Sequence, residues 1–498
     1  MTALERAIAR PAPVHEFGAT SPLEGLDRRS VGFGDVLAQS VAAVAPSAAA
    51  TTVILLVAGV AGGATVPAVI VAALIALLVA RTVNQFARRM VTSGSLYTYA
   101  ARGLGPGSGL ATGAALLVGY AFIAVFALLG GTHYLTILLH RVWPDIGGPV
   151  VSAAILLIEA AVLAIVLVRG IRLSSRLALV VELASVVIIV GLLVVLLIQI
   201  GPIDPVALLP PELSPTALAA GAVLALTAFV GFESASTLGV EARTPLRNIP
   251  RAIVWTVLVA GGLYVLAAYA QVAGFRALGL ELATSASPVN TLATAYGLDG
   301  WGILVDIGIA ASFLACAIAS TTALTRVLFA MGRDGVAPAW LGRVHRRHRT
   351  PIAAIGLAVP VVALIPVGTV AAGVGPWDAM EAVIVVSAVG YIAAYALVCV
   401  AAPVFLRRIG EQTVGSAVTA VISAVALSFG LVLYLTVEGA AGNPGVWIAL
   451  LIAIACGAAI GWRRRRGAPP LDGIGSYDEP IAAQVLGGVA SPPREGDA

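Results

Sequence analysis

Two short stretches of this chain put polar chemistry into the middle of long apolar runs. In Val44-Ala45-Pro46-Ser47-Ala48 a proline interrupts the run 36–58. Proline removes one backbone hydrogen bond of a helix and clashes with the carbonyl four residues back. In Phe229-Val230-Gly231-Phe232-Glu233-Ser234 a glycine stands beside a carboxylate within the run 216–240. Glu233 there could meet a substrate ammonium, carry a proton, or accept hydrogen bonds that tie helices together. Glu159 and Glu182 also lie in apolar runs, where a structural bond to a neighbouring helix and a transport role are equally open. Arg81 and Arg326 sit near run ends, where snorkelling of the guanidinium suffices. Glu241, Arg243, Arg247 and Arg251 follow the second interruption and are expected to form a network that holds a gate shut. Tyr120, Tyr391 and Tyr395 could line a pocket or simply pack. The histidines show no metal-ligand spacing, and Cys316, Cys399 and Cys456 all fall inside apolar runs, so no metal site, disulfide or cofactor is expected. The glycines of Gly103–Gly109 have GxGxxG-like spacing but no preceding strand, and are expected to start a helix rather than hold a nucleotide.

Composition dictates the elements that must carry these groups. Of 498 residues 59% are apolar and 11% charged, against about 25% charged in soluble proteins. A mean hydropathy of +1.00 places the chain in a bilayer, where helices satisfy their own backbone groups. There an ionised side chain at mid-helix costs about 2.5–3.5 kcal/mol, which singles out Glu233. A spanning helix needs about 20 apolar residues, and twelve windows qualify: 36–58, 67–87, 108–138, 149–168, 173–200, 216–240, 252–274, 301–331, 352–372, 378–405, 414–437 and 446–462. The window 108–138 is too long to stand upright and must tilt or extend beyond the membrane. All 29 basic residues are arginine. With the N-terminus inside, all but four of them fall on the cytoplasmic side or tails, the exceptions being Arg141 and Arg276 outside and Arg81 and Arg326 within spans. Both termini are therefore expected to be cytoplasmic. The scattered arginines argue against nucleic acid. The first 34 residues hold no short apolar core with a cleavage site, so no removed signal is expected. The stretch Ala277–Gly300 is expected to form short surface helices on the outer side.

The first interruption opens one set of five spans and the second opens another. Five is odd, so the second set must be inserted upside down, and paired discontinuous helices in inverted repeats point to a transporter's central site. The residues around the second interruption carry more. Phe229 through Ile253, with Gly231, Phe232, Glu233, Glu241, Arg243, Pro245, Asn248, Pro250 and Arg251, resembles the sixth-helix signature of amino acid–polyamine–organocation permeases. Ser93-Gly-Ser-Leu-Tyr-Thr-Tyr99 with Gly103 resembles that family's loop after helix 2. Arg326–Met331, Arg333-Asp334-Gly335, Pro338, His345 and Thr350-Pro351 resemble the end of its helix 8, and Gly170-Ile171-Arg172 with Ser174 the start of its helix 5. The resemblance covers roughly 33–408 and is weakest for the last two spans.

The resemblance implies an all-α integral membrane protein of twelve spans. It would consist of a cytoplasmic tail at 1–34, repeat one at 35–200, repeat two at 215–408 with discontinuous helices 1 and 6, a two-helix hairpin at 412–463, and a disordered cytoplasmic tail at 464–498. It implies movement of amino acids or related amines across the cytoplasmic membrane by rocking of helices 1, 2, 6 and 7. Substrate would meet Ala45, Pro46, Ser47, Ala48, Phe229, Gly231, Phe232 and Glu233, with Tyr120 and Tyr391 at the sides. The family's helix 1 usually reads Gly-Ser/Thr-Gly; Ala45-Pro46-Ser47-Ala48-Ala49 departs from it, leaving amides freed around Pro46 and the Ser47 hydroxyl as donors. Several family members place a lysine in helix 5 where a sodium ion sits in related transporters. That position falls near Ser185 here, and no lysine exists. Two couplings remain: sodium among helix 1 carbonyls with Ser320 and Thr321, or a proton on Glu233 or Glu182. The proton is preferred, because intramembrane glutamates are plainly present. Exchange, and assembly as a homodimer, stay open. A transporter of two parallel six-helix halves would carry an acidic–arginine glycine turn where Arg88-Arg89-Met-Val-Thr-Ser-Gly stands, and a membrane enzyme would need clustered His and carboxylates near one face.

Overall fold

The computed structural model describes residues 23, 25–285, 287–465 and 474–478, and these are helical throughout apart from loops and one isolated bridge, Val31 to Ala242. In chain order we number α1 (Phe33–Val44), α2 (Pro46–Ala61), α3 (Thr65–Ala87), α4 (Leu96–Leu104), α5 (Pro106–Val142), α6 (Pro149–Arg169), α7 (Ile171–Ile200) and α8 (Pro215–Leu226). After 3₁₀ turns at Thr227–Phe229 and Phe232–Leu238 follow α9 (Pro245–Leu278), α10 (Pro288–Ala295), α11 (Asp299–Arg333), α12 (Ile352–Ala371), α13 (Pro376–Arg408), α14 (Val414–Ala440) and α15 (Pro444–Arg465). Many helices open on proline, whose fixed φ suits the first turn and whose missing N–H is not needed there.

Eleven helical stretches among the described residues are long and apolar enough to cross a membrane. The first, Phe33–Ala87, is 55 residues long; it holds α1, α2 and α3, separated by Ala45 and by a 3₁₀ turn at Gly62–Ala64. The loop expected after the second span contains the buried helix α4, and Ala277–Gly300 contains a 3₁₀ turn and α10. Of the two tails, residues 1–22, 24, 466–473 and 479–498 lie outside the described residues. Ile474–Asp478, expected to be disordered, instead lies against the helices.

Pro46 does not kink a continuous helix. Ala45 takes a left-handed conformation (φ 49, ψ 61) that ends α1, and Pro46 is the first residue of α2. A non-glycine residue in that region costs about 1–2 kcal/mol. The second interruption is built differently: α8 tightens into 3₁₀ turns on either side of Gly231, whose φ is 99. The two breaks face each other, since a Cβ on Gly231 would lie 3.0 Å from the Ala43 carbonyl oxygen.

At the centre α5 runs between α11 and α13, while α1 packs on α7 and α9, α3 on α8 and α9, and α14 and α15 pack on α13 from outside. Glycines set how closely α5 is approached. A Cβ on Gly113 would strike the Tyr97 ring at 2.8 Å, one on Gly119 the Tyr391 ring at 2.9 Å and one on Gly130 the Phe313 ring at 2.6 Å; one on Gly131 would strike the Glu159 carboxylate. Each of these side chains fills the dent that a missing Cβ leaves.

Gly231→Ala should lower the thermal midpoint in detergent, by the equivalent of about 1–2 kcal/mol for the left-handed conformation alone, and should sharply reduce transport. Gly262→Ala, at a helical position with open space around it, is the control and should leave the midpoint unchanged or raise it.

Candidate substrate and coupling site

Breaking two helices inside apolar surroundings leaves backbone groups that need partners. Neighbouring side chains provide them. The Gly231 N–H donates to the Tyr395 hydroxyl oxygen (3.1 Å), and the Tyr264 hydroxyl donates to the Ala228 carbonyl (2.8 Å). The Cys316 thiol donates to the Ala43 carbonyl (3.3 Å), and the Ser47 N–H donates to Glu182 Oε1 (3.3 Å). Between the breaks is a cavity of about 20 Å³ lined by Ala43–Ala45, Ala48, Ala49 and Val53 of α1 and α2, and by Thr227, Ala228 and Val230. Ile123 and Phe126 of α5, Phe313 and Cys316 of α11 and Ile384 of α13 complete it. That volume holds about one water molecule, so this arrangement is closed.

Glu233 is fully buried and both its oxygens are taken. The Tyr120 hydroxyl donates to Oε1 at 2.7 Å and the Tyr395 hydroxyl donates to Oε2. The carboxylate thus ties the second break to α5 and α13 and does not line the cavity. Tyr391 stands edge-on to Tyr120, its hydroxyl without a hydrogen-bond partner. Of the residues expected to meet substrate, Ala45 and Ala48 lie on the cavity wall. Pro46 starts α2, the Ser47 hydroxyl is buried without a partner, Phe229 abuts Tyr264 (5.0 Å between ring centres) and Phe232 stacks on Tyr395 (5.1 Å). Sequence reasoning missed Ile123, Phe126, Phe313 and Ile384. Bulky apolar residues in apolar spans give no signal that separates cavity from core.

The residues proposed for ion coupling fall in three places. Glu182 meets the first break: Oε1 accepts from the Ser47 N–H and from the Ser312 hydroxyl (3.0 Å), while Oε2 has no partner. Ser320 lies 3.8 Å from the Cys316 sulfur, and the Thr321 hydroxyl is buried without a partner. Ser185 is elsewhere, donating to the Gly308 carbonyl (2.9 Å), twelve residues before Ser320 and so about 18 Å away along α11. At the α1–α11 seam α7 contributes Ala178, packed with Ala42, Ala43, Ala315 and Ala319, with Val181 against the same cluster. Beside it the Gln39 amide donates to the Ala319 carbonyl at 2.7 Å. Glu159 accepts from the Thr132 hydroxyl (2.9 Å), a bond between α5 and α6. Arg81 is exposed.

Arg326 does not snorkel. It is buried in a two-pronged pair with Glu241, at 2.7 and 2.8 Å, and also donates to the Thr322 carbonyl. The expected partners of Glu241 are not the ones it has. Arg243 and Arg247 are exposed, and the Arg251 guanidinium covers the Phe33 ring. On the same face, which bears both described chain ends, Arg29 donates to the Gly239 and Ala242 carbonyls and Tyr97 donates to Asp334 (2.7 Å). On the opposite face Arg141 pairs with buried Asp306 at 2.6 Å. Arg276 pairs there with loop residue Asp204, a contact that holds the Asp204 carboxyl below its usual range.

Comparison with known proteins adds a decisive observation: the Amino acid permease family matches residues 35–461 of this chain. The chain belongs to that family. The protein is accordingly a multi-pass membrane transporter rather than an enzyme. Among relatives, the branched-chain amino acid permease BcaP of Bacillus subtilis is 24% identical over 349 residues, 67% of this chain and 72% of BcaP. The low-affinity putrescine importer PlaP of Escherichia coli K12 is 26% identical over 309 residues, 61% of this chain and 67% of PlaP. A crystal structure of MhsT in complex with L-phenylalanine shares the fold, with a TM-score of 0.54 at 16% identity, covering 82% of this permease and 99% of that chain.

Glu241→Gln or Arg326→Gln alone strands a buried charge or its partner, and each should destabilise the protein by about 3–5 kcal/mol, read as a lower thermal midpoint in detergent. The double variant Glu241→Leu, Arg326→Met should recover most of that loss, because apolar groups of similar size replace a buried pair at little cost.

Proposed function

We propose that this permease carries small amino acids with apolar side chains across the cytoplasmic membrane by alternating access around the cavity between the two breaks. The observation that carries the reading is the cavity's lining: residues of both breaks meet there with apolar side chains, a thiol and a threonine, and no charged side chain. Backbone groups suit the ammonium and carboxylate common to all amino acids, and the apolar wall suits the remainder. A diamine would need carboxylates at both ends. Glu233, the nearest carboxylate to the second break, has both oxygens occupied by tyrosines. The branched-chain substrate named for BcaP supports the same reading, and the putrescine named for PlaP marks the alternative.

In this proposal twelve spans form two inverted sets of five, at 35–200 and 215–408, followed by a hairpin at 412–463, with both chain ends cytoplasmic as arginine placement suggests. Coupling is to protons through Glu182, which touches the first break and keeps one oxygen unpartnered. At the seam of α1, α7 and α11 the Ala43 and Ala319 carbonyls already accept from the Cys316 thiol and the Gln39 amide, which supports protons over sodium. Glu233 supports the moving parts from behind the cavity.

The test is uptake by purified protein in liposomes. Leucine, isoleucine, valine and alanine should accumulate saturably and putrescine should not; uptake of putrescine alone would reverse the substrate reading. Accumulation should follow an imposed pH gradient, inside alkaline, and be lost in Glu182→Gln. Stimulation by a sodium gradient at constant pH, abolished in Ser320→Ala, would overturn proton coupling, and indifference to both gradients would indicate an exchanger. Glu233→Gln should fold and still bind substrate, yet transport roughly tenfold or more slowly, the consequence of losing on the order of 1.4 kcal/mol from the rate-limiting state.

A further inference from the structure

Close to the C-terminal end of the chain, Ile474-Gly475-Ser476-Tyr477-Asp478 lies in a groove on the face where both described ends meet, and all five residues are engaged. Ile474 is buried in the main apolar cluster. The Gly475 N–H donates to Asp334 Oδ2 (2.8 Å), and its carbonyl accepts from Arg102 Nε (2.9 Å). The Ser476 carbonyl accepts from the Thr92 hydroxyl (3.2 Å), and the Tyr477 ring lies under the Arg102 guanidinium, 4.6 Å from its centre. The Asp478 N–H donates to the Val91 carbonyl (2.6 Å), while its carboxylate, 1% exposed, accepts from Arg28 (2.9 Å) and Arg29 (3.1 Å). The groove is also shaped for this sequence. Gly475 has φ +83, and a Cβ there would already lie 3.0 Å from Ala101.

The residues that grip the segment come from parts that the proposed mechanism moves apart. Arg28 and Arg29 precede α1, and Arg29 also holds the carbonyls of Gly239 and Ala242 after the second break. Val91 and Thr92 follow α3, Arg102 belongs to α4, and Asp334 ends α11. We propose that this groove is a binding site for the chain's own segment Ile474–Asp478, and that the bound segment locks this face of the permease shut. The inference rests on the alternating-access reading. A rocking movement that separates α1 and the second break from α11 cannot keep Asp478 on Arg28 and Arg29 while Gly475 stays on Asp334. The segment therefore binds the closed arrangement better than the open one, and any ligand with such a preference shifts the population toward the state it favours. Tethering through residues 466–473 supplies a high effective concentration, so modest contacts suffice. Release of the segment then becomes a step at which the permease can be regulated.

The experiment uses the full-length chain with Cys399 and Cys456 replaced by alanine, which leaves Cys316 on the cavity wall as reporter. An impermeant maleimide is added to inverted membrane vesicles, whose outer surface is the face proposed to be cytoplasmic, and the rate of Cys316 labelling is followed. Combining Asp478→Arg with Tyr477→Ala should raise that rate by roughly threefold or more, the shift expected when a state-selective contact is lost. A synthetic peptide spanning 471–481 should slow it again, whereas the same residues in scrambled order should not. An unchanged rate in the variant overturns the proposal. A raised rate that the native peptide fails to reverse also overturns it, because it indicates general loosening instead of an emptied site. Labelling needs no transport substrate, so failure of every candidate substrate in the uptake assay would count against the functional reading and leave this measurement standing.

Discussion

A backbone that stops being helical inside a membrane must find partners without water, and the centre of this permease is organised by that constraint. An unmade hydrogen bond on a buried group costs about 1–3 kcal/mol, more than a made one returns. Local hydroxyls such as Ser236 and Thr237 repair part of the second break, and other elements supply the rest. Tyr395 and Tyr264 attend the second break from α13 and α9, while Cys316 and Glu182 attend the first from α11 and α7. The breaks also repair each other, the Ser40 hydroxyl donating to the Phe232 carbonyl and the Ser234 hydroxyl to the Gln39 carbonyl. The cavity is thus surrounded by exchangeable hydrogen bonds. In the proposed alternating-access cycle, a substrate with charged ends would take over some of these bonds as the helices part, so opening would not leave the backbone bare.

The two buried glutamates near the breaks show how environment separates like residues. Glu233 has a full set of partners and joins three elements, which makes it a fastening. Glu182 holds one backbone N–H and one hydroxyl and has an oxygen to spare, which leaves it able to change partners. The same distinction runs through the arginines. Arg326 is locked into Glu241 inside the protein, whereas Arg243 and Arg247, close to Glu241 in sequence, point to solvent. Sequence distance says little about which charge a buried residue will meet.

Features set by local chemistry could be read from the sequence: the apolar spans, the proline and glycine that break two of them, and the motif after the second break. Features set by long-range packing could not. Snorkelling was a sound expectation for an arginine near a helix end, yet Glu241, 85 positions earlier, offered a better solution. Counting along α7 led to Ser185, which bonds to the Gly308 carbonyl, whereas Ala178, packed against α1 and α11, lies seven residues or about 10 Å earlier on the helix. The docking of Gly475 and Asp478 depends on Asp334, Arg102, Arg28 and Arg29, residues scattered over most of the chain. A tail rich in glycine, proline and acid carries no sign of that appointment.

The dents along α5 have a mechanical meaning. Tyr97, Phe313, Tyr391 and Glu159, borne by α4, α11, α13 and α6, each sit where a glycine has removed the helix surface. Such a helix resembles a shaft cut with keyways: any turn about its axis, or slide of one residue along it, drives a ring or a carboxylate into solid backbone. Smooth helices can shear past their neighbours, but this one cannot, so α5 and the four elements keyed to it are obliged to travel as one body or stay still together.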